Sequence, residues 1–259
     1  MTFNVYFCLL CTPNGVKQRD NMTDSTFSFK QFEIRQELCA MKVGTDSVLL
    51  GAWVDLPQQG SILDIGTGTG ILSLMVAQRS LSTFITALEI DMHAAHQARE
   101  NVAASPWHNR IEVVNEDFTQ WAATGQPTFD CILSNPPYFE QSLLSPDSAR
   151  SVARHTDSLS YAQIFDLTRR LIKPQGRLSL ILPSDLYIRT NETAQLYGWG
   201  LTRSTMIQTT PRKKPKRVLC EWQQHHHAPC TPSVLIIHNT DGQYSDEYKS
   251  LTQEFYLHF

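Results

Sequence analysis

The chain has 259 residues, which fits one or two domains at about 150 residues each. Hydrophobic residues at 41% and charged residues at 18% exclude a disordered or fibrous chain, and 12 Gly and 13 Pro are too few for a collagen-like or low-complexity one. Lys+Arg 22 against Asp+Glu 25 gives a net charge of -3, which excludes a uniformly basic coat around nucleic acid but allows a local basic patch.

In chain order, residues 1–23 begin with a fairly apolar stretch that lacks a basic n-region and a small-residue cleavage site. They are expected to be a poorly ordered N-terminal extension, of the kind an upstream start codon adds. From residue 61 strand-like runs alternate with helical patterns: strands at 61–65, 83–90, 111–114, 129–134 and 177–182, and helices at 71–78 and 91–104. The clearest helix places Tyr161, Ile164, Phe165, Thr168, Leu171 and Ile172 on one face, before Pro174 and Gly176. A helical stretch over 184–197 leads to strands at 201–208, 218–223 and 233–238.

Such alternation predicts an α/β fold, a parallel sheet with helices on both faces. The late strands have no long helix between them, so a closing hairpin is expected. Residues 24–259 read as one domain: a cap over 24–60, a core over 61–183 and a C-terminal sheet extension over 184–259. No apolar run approaches the ~18 residues of a membrane helix, so no membrane partner is expected. The six cysteines, Cys8, Cys11, Cys39, Cys131, Cys220 and Cys230, are sparse and irregular, as in reduced cytoplasmic proteins. Cys8 and Cys11 have zinc-knuckle spacing but no second pair, and His225, His226 and His227 fit no common zinc pattern. No metal is expected, and Cys220, alternating with Val218 and Trp222, reads as core.

The first strand ends in Asp64-Ile65-Gly66-Thr67-Gly68-Thr69-Gly70, and a helix follows. Glycines allow a sharp turn and close backbone approach to a ligand, and free amides at the helix start favour electronegative groups. Glu89, at the end of the next strand, can accept both ribose hydroxyls of a nucleoside cofactor. A dinucleotide fingerprint, G-x-G-x-x-G, would need glycine where Ile71 or Ser73 stands. The loop instead resembles motif I of Rossmann-like methyltransferases, which bind S-adenosylmethionine. That resemblance implies that Asp117, after the third strand, accepts from the cofactor's adenine amine.

Asn135-Pro136-Pro137-Tyr138 follows the fourth strand and resembles the N-P-P-Y motif of methyltransferases acting on planar amino nitrogens. The lone pair of such a nitrogen is delocalised. The Asn135 side-chain carbonyl and the Pro136 backbone carbonyl can accept its two N–H groups and turn the lone pair toward a methyl donor. Proline suits the turn, with φ fixed and no competing N–H, and Tyr138 can stack on the base, a contact worth about 1–3 kcal/mol. Asn135 thereby borders both the cofactor and the target.

The flanking segments narrow the resemblance. They are Met41-Lys42-Val43-Gly44-Thr45-Asp46-Ser47, Ala149-Arg150, Ala153-Arg154-His155 and Asp241-Gly242-Gln243-Tyr244-Ser245-Asp246-Glu247-Tyr248. With the motifs above, the chain resembles, over about residues 26–258, the bacterial valine-tRNA adenine-37 N6-methyltransferase family. The resemblance implies a class I fold with a mostly parallel seven-stranded sheet and an antiparallel closing strand. It also implies methyl transfer from S-adenosylmethionine to the adenine beside the anticodon, by a monomer. Lys42, Gly44, Thr45 and Asp46 would lie near the methionine end of the cofactor. Thr45 or Asp46 could equally cap the helix over 47–53. The first 23 residues depart from the family pattern.

Arg212, Lys213, Lys214, Lys216 and Arg217 form a run of five cations without an acid, held extended by prolines. Such a loop suits tRNA phosphates, and Arg150, Arg154 and His155 form a second cationic group after N-P-P-Y. Alternatives within the chemistry are rRNA guanine or a protein glutamine, and outside it a non-catalytic RNA-binding protein. A nicotinamide-dependent dehydrogenase would lack its third glycine and leave N-P-P-Y without a role.

Overall fold

The computed structural model describes residues 25–137 and 159–259. The expectations for residues 1–23, Tyr138, Arg150, Arg154 and His155 lie outside the described residues. The described chain opens with an antiparallel ribbon, β1 (Thr26–Ser28) and β2 (Glu33–Arg35), where the pattern predicts only a cap. Helix α1 (Thr45–Trp53) follows. Its N-cap is Gly44, with no side-chain cap bond. Thr45 and Asp46 therefore do not cap the helix but lie in its first turn.

Strand and helix then alternate as β3 (Gln59–Ile65), α2 (Ile71–Arg79), β4 (Ser82–Glu89), α3 (Met92–Ala103) and β5 (Ile111–Asn115). Next come α4 (Phe118–Ala122), β6 (Phe129–Ser134), α5 (Tyr161–Leu171), β7 (Ile172–Pro183) and α6 (Tyr187–Leu196). The chain closes with β8 (Trp199–Gln208), β9 (Arg217–Gln224), β10 (Ser233–Ile236) and α7 (Asp246–Thr252). Polar caps start the helices where the sequence supplies them: Ser160 and Gln163 form a reciprocal capping box on α5, and Asp91 accepts from Ala94 N on α3. Pro174 and Gly176 do not open a loop after α5, because β7 begins at once. A Cβ on Gly176 would stand 2.9 Å from the Phe129 carbonyl, so only glycine lets β7 pass β6 there.

The strand order is β10-β8-β9-β7-β6-β3-β4-β5, with β9 alone antiparallel to its neighbours. The short β8–β9 loop forces those strands antiparallel, and the crossover through α6 leaves a gap beside β7 that β9 fills. The reversed strand thus lies inside the sheet. Among the described residues the sheet has 8 strands, one more than the expected seven, because β10 adds in parallel to β8.

Both faces are covered. Ile62, Cys131, Leu133, Ile181 and Leu219 pack toward α1, α2 and α7. Their alternate neighbours Leu63, Ile132, Leu180, Val218 and Cys220 pack toward α4, α5 and α6. This period-2 partition is what a two-sided buried sheet requires. From β3 the chain winds outward through β4 and β5, then returns to β6 on the other side of β3. That reversal opens a crevice at the carboxyl ends of β3 and β6. Among the described residues no helix is long and apolar enough to cross a membrane.

Candidate active site

A cleft of about 1290 Å³ occupies this crevice. Its floor is the glycine loop. Gly66, Gly68 and Gly70 have φ of 72°, 57° and 84°, and among the described residues nothing lies within 4 Å of a Cβ built on Gly66 or Gly68. The loop is pinned at both ends. Gly66 N and Thr67 N donate to the Leu88 carbonyl at 2.9 and 2.8 Å. Below it, the fully buried Asp64 accepts from Thr67 Oγ1 at 2.6 Å and Ser73 Oγ at 2.7 Å. Its Oδ1 has no partner among the described residues. Burial pushes the carboxyl up to about 6, with the two hydroxyl bonds opposing it. Asp64 and Gly70 stand behind the cleft wall and shape the loop, whereas Gly66 and Gly68 line it.

Glu89 and Asp117 supply the acidic wall. Glu89 accepts from Gly68 N at 2.8 Å through one oxygen and from Asp91 N at 3.0 Å through the other. Asp117 is the N-cap of α4, and its Oδ1 accepts from Thr119 N and Gln120 N at 2.9 and 3.0 Å and from Thr119 Oγ1. Burial pushes the Asp117 carboxyl up, but these bonds outweigh it and hold the group below the ordinary carboxylate range. Among the described residues its Oδ2 carries no bond, so an acceptor with a firm negative charge remains at the wall.

Asn135, Pro136 and Pro137 leave β6 beside the glycine loop, tied to it by the Ser134 Oγ bond to the Ile65 carbonyl at 2.7 Å. Asn135 Nδ2 donates to Ser47 Oγ, in α1, at 3.0 Å. That bond ties the amide end to α1, and Asn135 lines the cleft. Lys42, Gly44, Thr45 and Asp46 line the cleft as well.

The basic run is the loop between β8 and β9, and the parallel direction of β8 brings it to the same end of the sheet as the cleft. Arg212, Lys213, Lys214 and Lys216 are exposed and make no ion pair among the described residues, while Lys216 also reaches the cleft wall. The loop is anchored by Ser184 Oγ to the Pro215 carbonyl at 2.6 Å and by Lys216 N to the Ile207 carbonyl at 3.0 Å. Arg217 differs from its neighbours, because its Nε donates to Asp46 Oδ2 at 2.7 Å and closes β9 onto the first turn of α1.

The family model described as Methyltransferase small domain matches residues 38–190. A Bacteroides thetaiotaomicron protein named tRNA1(Val) (adenine(37)-N6)-methyltransferase is 47% identical over 92% of this chain and 99% of its own length. A Tolumonas auensis protein of the same name is 43% identical over 91% of this chain and 98% of its own. The chain belongs to the tRNA1(Val) (adenine(37)-N6)-methyltransferase family. Among solved structures, a predicted O-methyltransferase from Agrobacterium tumefaciens is similar in fold, with a TM-score of 0.61 at 22% identity, covering 81% of this chain and 96% of that one. The fold therefore has the Rossmann-like class I architecture that the family resemblance implies.

The structure gathers the glycine loop, Glu89, Asp117, Asn135 and the α1 entry into one cleft. It also reveals supports that the sequence reading missed. Ser47 orients Asn135, and Gln97 and Asn101 on α3, one turn apart, fasten the cap. Asn101 accepts from Arg35 N at 2.9 Å and donates to the Thr69 carbonyl at 2.9 Å, and Gln97 accepts from Leu38 N at 3.1 Å. Their only signal is two amides on the buried side of an Ala-rich helix.

Proposed function

We propose that this protein transfers the methyl group of S-adenosylmethionine to the exocyclic N6 amine of adenine 37 in the anticodon loop of tRNA(Val). The observation that carries the reading is Asn135, held through its amide end by Ser47, beside the open glycine floor and the two acidic acceptors. The residues fit the cofactor. Gly66 and Gly68 leave clear the space a Cβ would fill, Glu89 suits the ribose hydroxyls, and Asp117 Oδ2 suits an adenine amine.

The cofactor supplies an electrophilic methyl carbon on a sulfonium. The chain supplies alignment. Asn135 Oδ1 and the Pro136 carbonyl accept the two N–H groups of the target amine, fix its plane and direct its lone pair. Fixing both partners in an in-line arrangement is the main source of rate. Tyr138 stacks on the base, and Arg150, Arg154 and His155 join the hairpin cations on the RNA. The anticodon loop already displays unpaired bases, so extruding the target costs less than from a duplex. The enzyme acts as a monomer in the cytoplasm, where it meets tRNA, with Lys42, Gly44, Thr45 and Asp46 toward the methionine end of the cofactor.

The test is incubation with unmodified tRNA(Val) and cofactor labelled in its methyl group, followed by nucleoside mapping by mass spectrometry. One methyl on the N6 of adenine 37 is expected. Label on guanine or on protein glutamine, or no transfer at all, would overturn the reading.

A further inference from the structure

Beyond the hairpin, the sequence motif around Tyr244 builds a feature that the methyl-transfer chemistry does not use. Three rings stack in series. His238 lies on Tyr244 with centroids 4.6 Å apart and planes at 27°, and Tyr244 lies on Tyr248 at 5.2 Å and 20°. The series runs from the core outward: Tyr248 is buried, and Tyr244 and His238 are half-buried.

The segment that carries the rings is braced by backbone hydrogen bonds. Asn239 N donates to the Gln243 carbonyl at 2.8 Å, and Gly242, at φ of 85°, makes the turn. Ser245 N returns to the Ile237 carbonyl at 2.9 Å, which fixes Tyr244 opposite His238. The location ties the stack to the cleft and to the basic loop. Ile237 lines the cleft, and His238 N donates to the carbonyl of Thr209, at the foot of the hairpin, at 3.0 Å. An aromatic ring on a strand bonded to the foot of a loop of exposed cations is a combination that single-stranded nucleic acid binds, base on ring and phosphate on charge.

We propose that His238, backed by Tyr244 and Tyr248, is a stacking platform for an unpaired nucleobase of the RNA substrate, next to the methylated adenine. The platform reads a π-face, not a hydrogen-bond pattern, and it holds the loop in place while the adenine enters the cleft. This inference rests on the RNA methyltransferase reading.

The experiment uses the full chain and an unmodified tRNA(Val) anticodon stem–loop carrying 2-aminopurine beside position 37. Wild-type protein is expected to quench the probe. His238→Ala is expected to weaken RNA binding about tenfold, the value of one base–aromatic stack, and to abolish the quenching. Its salt slope should stay at the wild-type value, because stacking releases no counterions, and its cofactor affinity should be unchanged. His238→Phe keeps a ring and should restore both affinity and quenching. Wild-type affinity in His238→Ala, equal losses in the Ala and Phe variants, or a flattened salt slope would each overturn the platform. A wild-type enzyme that methylates tRNA while His238→Ala binds it normally would sink the platform alone. A wild-type enzyme that neither binds nor methylates tRNA would sink the functional reading with it.

Discussion

On the glycine-loop side of the cleft the carboxylates are already engaged by the protein, whereas on the hairpin side most cations are not. Asp64 holds Thr67 and Ser73, Glu89 holds Gly68 and Asp91, and Asp117 holds the start of α4. Arg212, Lys213, Lys214 and Lys216 stand in solvent. The difference matches the ligands. A small nucleoside cofactor is recognised by shape and by a few acceptors in fixed places, so internal bonds that set those places before binding are useful. An RNA backbone is recognised by summed charge, and cations already engaged by protein carboxylates would contribute little.

The sharpest break in this comparison comes at the border between the two sides. Asn135→Ala removes an acceptor at the reacting nitrogen, and kcat is expected to fall on the order of 10²–10³-fold, as for loss of other preorganised polar groups at a reacting centre. Cofactor affinity, measured by calorimetric titration, should change by less than about twofold, since its acceptors lie elsewhere. Equal losses in turnover and cofactor binding would place Asn135 on the loop side and remove it from base recognition.

The hairpin side can be divided in the same way. Replacing Arg212, Lys213, Lys214 and Lys216 with Ala should weaken tRNA binding and reduce the slope of log K against log salt by roughly 0.7–0.9 for each phosphate no longer neutralised. Arg217→Ala should leave that slope nearly unchanged and act on the cleft instead, because its guanidinium is paired with Asp46. A slope that falls equally for Arg217→Ala would show that the pair opens to RNA.

That division marks where the sequence is legible. The alternation of the main strands and helices from residue 61 can be read because each carries its own period, as over Tyr161–Leu171, whereas β1, β2, α4 and α7 are too short to carry one. The glycine loop, Glu89 and Asn135 can be read because their chemistry is local to a strand end. Pairing between distant segments cannot. In the local pattern Arg217 is one cation of five, and only the start of β9 beside α1 sets it apart. Ser47 is likewise an ordinary helix residue except that β6 ends beside it. The position of β9 inside the sheet, and the eighth strand, depend on which edges remain open after folding, and no local pattern encodes that.

A smaller effect tests how firmly the loop side is pre-set. The folded-state value of Asp64, about 6, lies above its ordinary 3.8. The native state therefore takes up a proton that the unfolded chain releases, and the contribution of this group to stability is full below about 3.8 and is lost as pH rises through about 6. Asp64→Asn keeps an acceptor for Thr67 and Ser73 without the buried charge. Chemical denaturation at pH 4 to 7 should show a loss of that pH-dependent component and a gain on the order of 3 kcal/mol at pH 7. A variant that keeps the wild-type pH profile would mean that the carboxylate is solvated through its open Oδ1.

The smallest effect concerns the bond between the two sides. Ser47→Ala removes the acceptor for Asn135 Nδ2 but touches neither the acidic wall nor the hairpin. A hydrogen bond of net worth about 0.5–1.5 kcal/mol corresponds to roughly a twofold to tenfold change, expected in kcat with cofactor affinity unchanged. A loss from general damage would add to that of Asn135→Ala. A loss from misorienting Asn135 would disappear once Asn135 is gone, so Ser47→Ala should cost nothing further in the Asn135→Ala background. Additive losses would reduce Ser47 to a packing residue of α1 and leave the orientation of Asn135 to its remaining contacts.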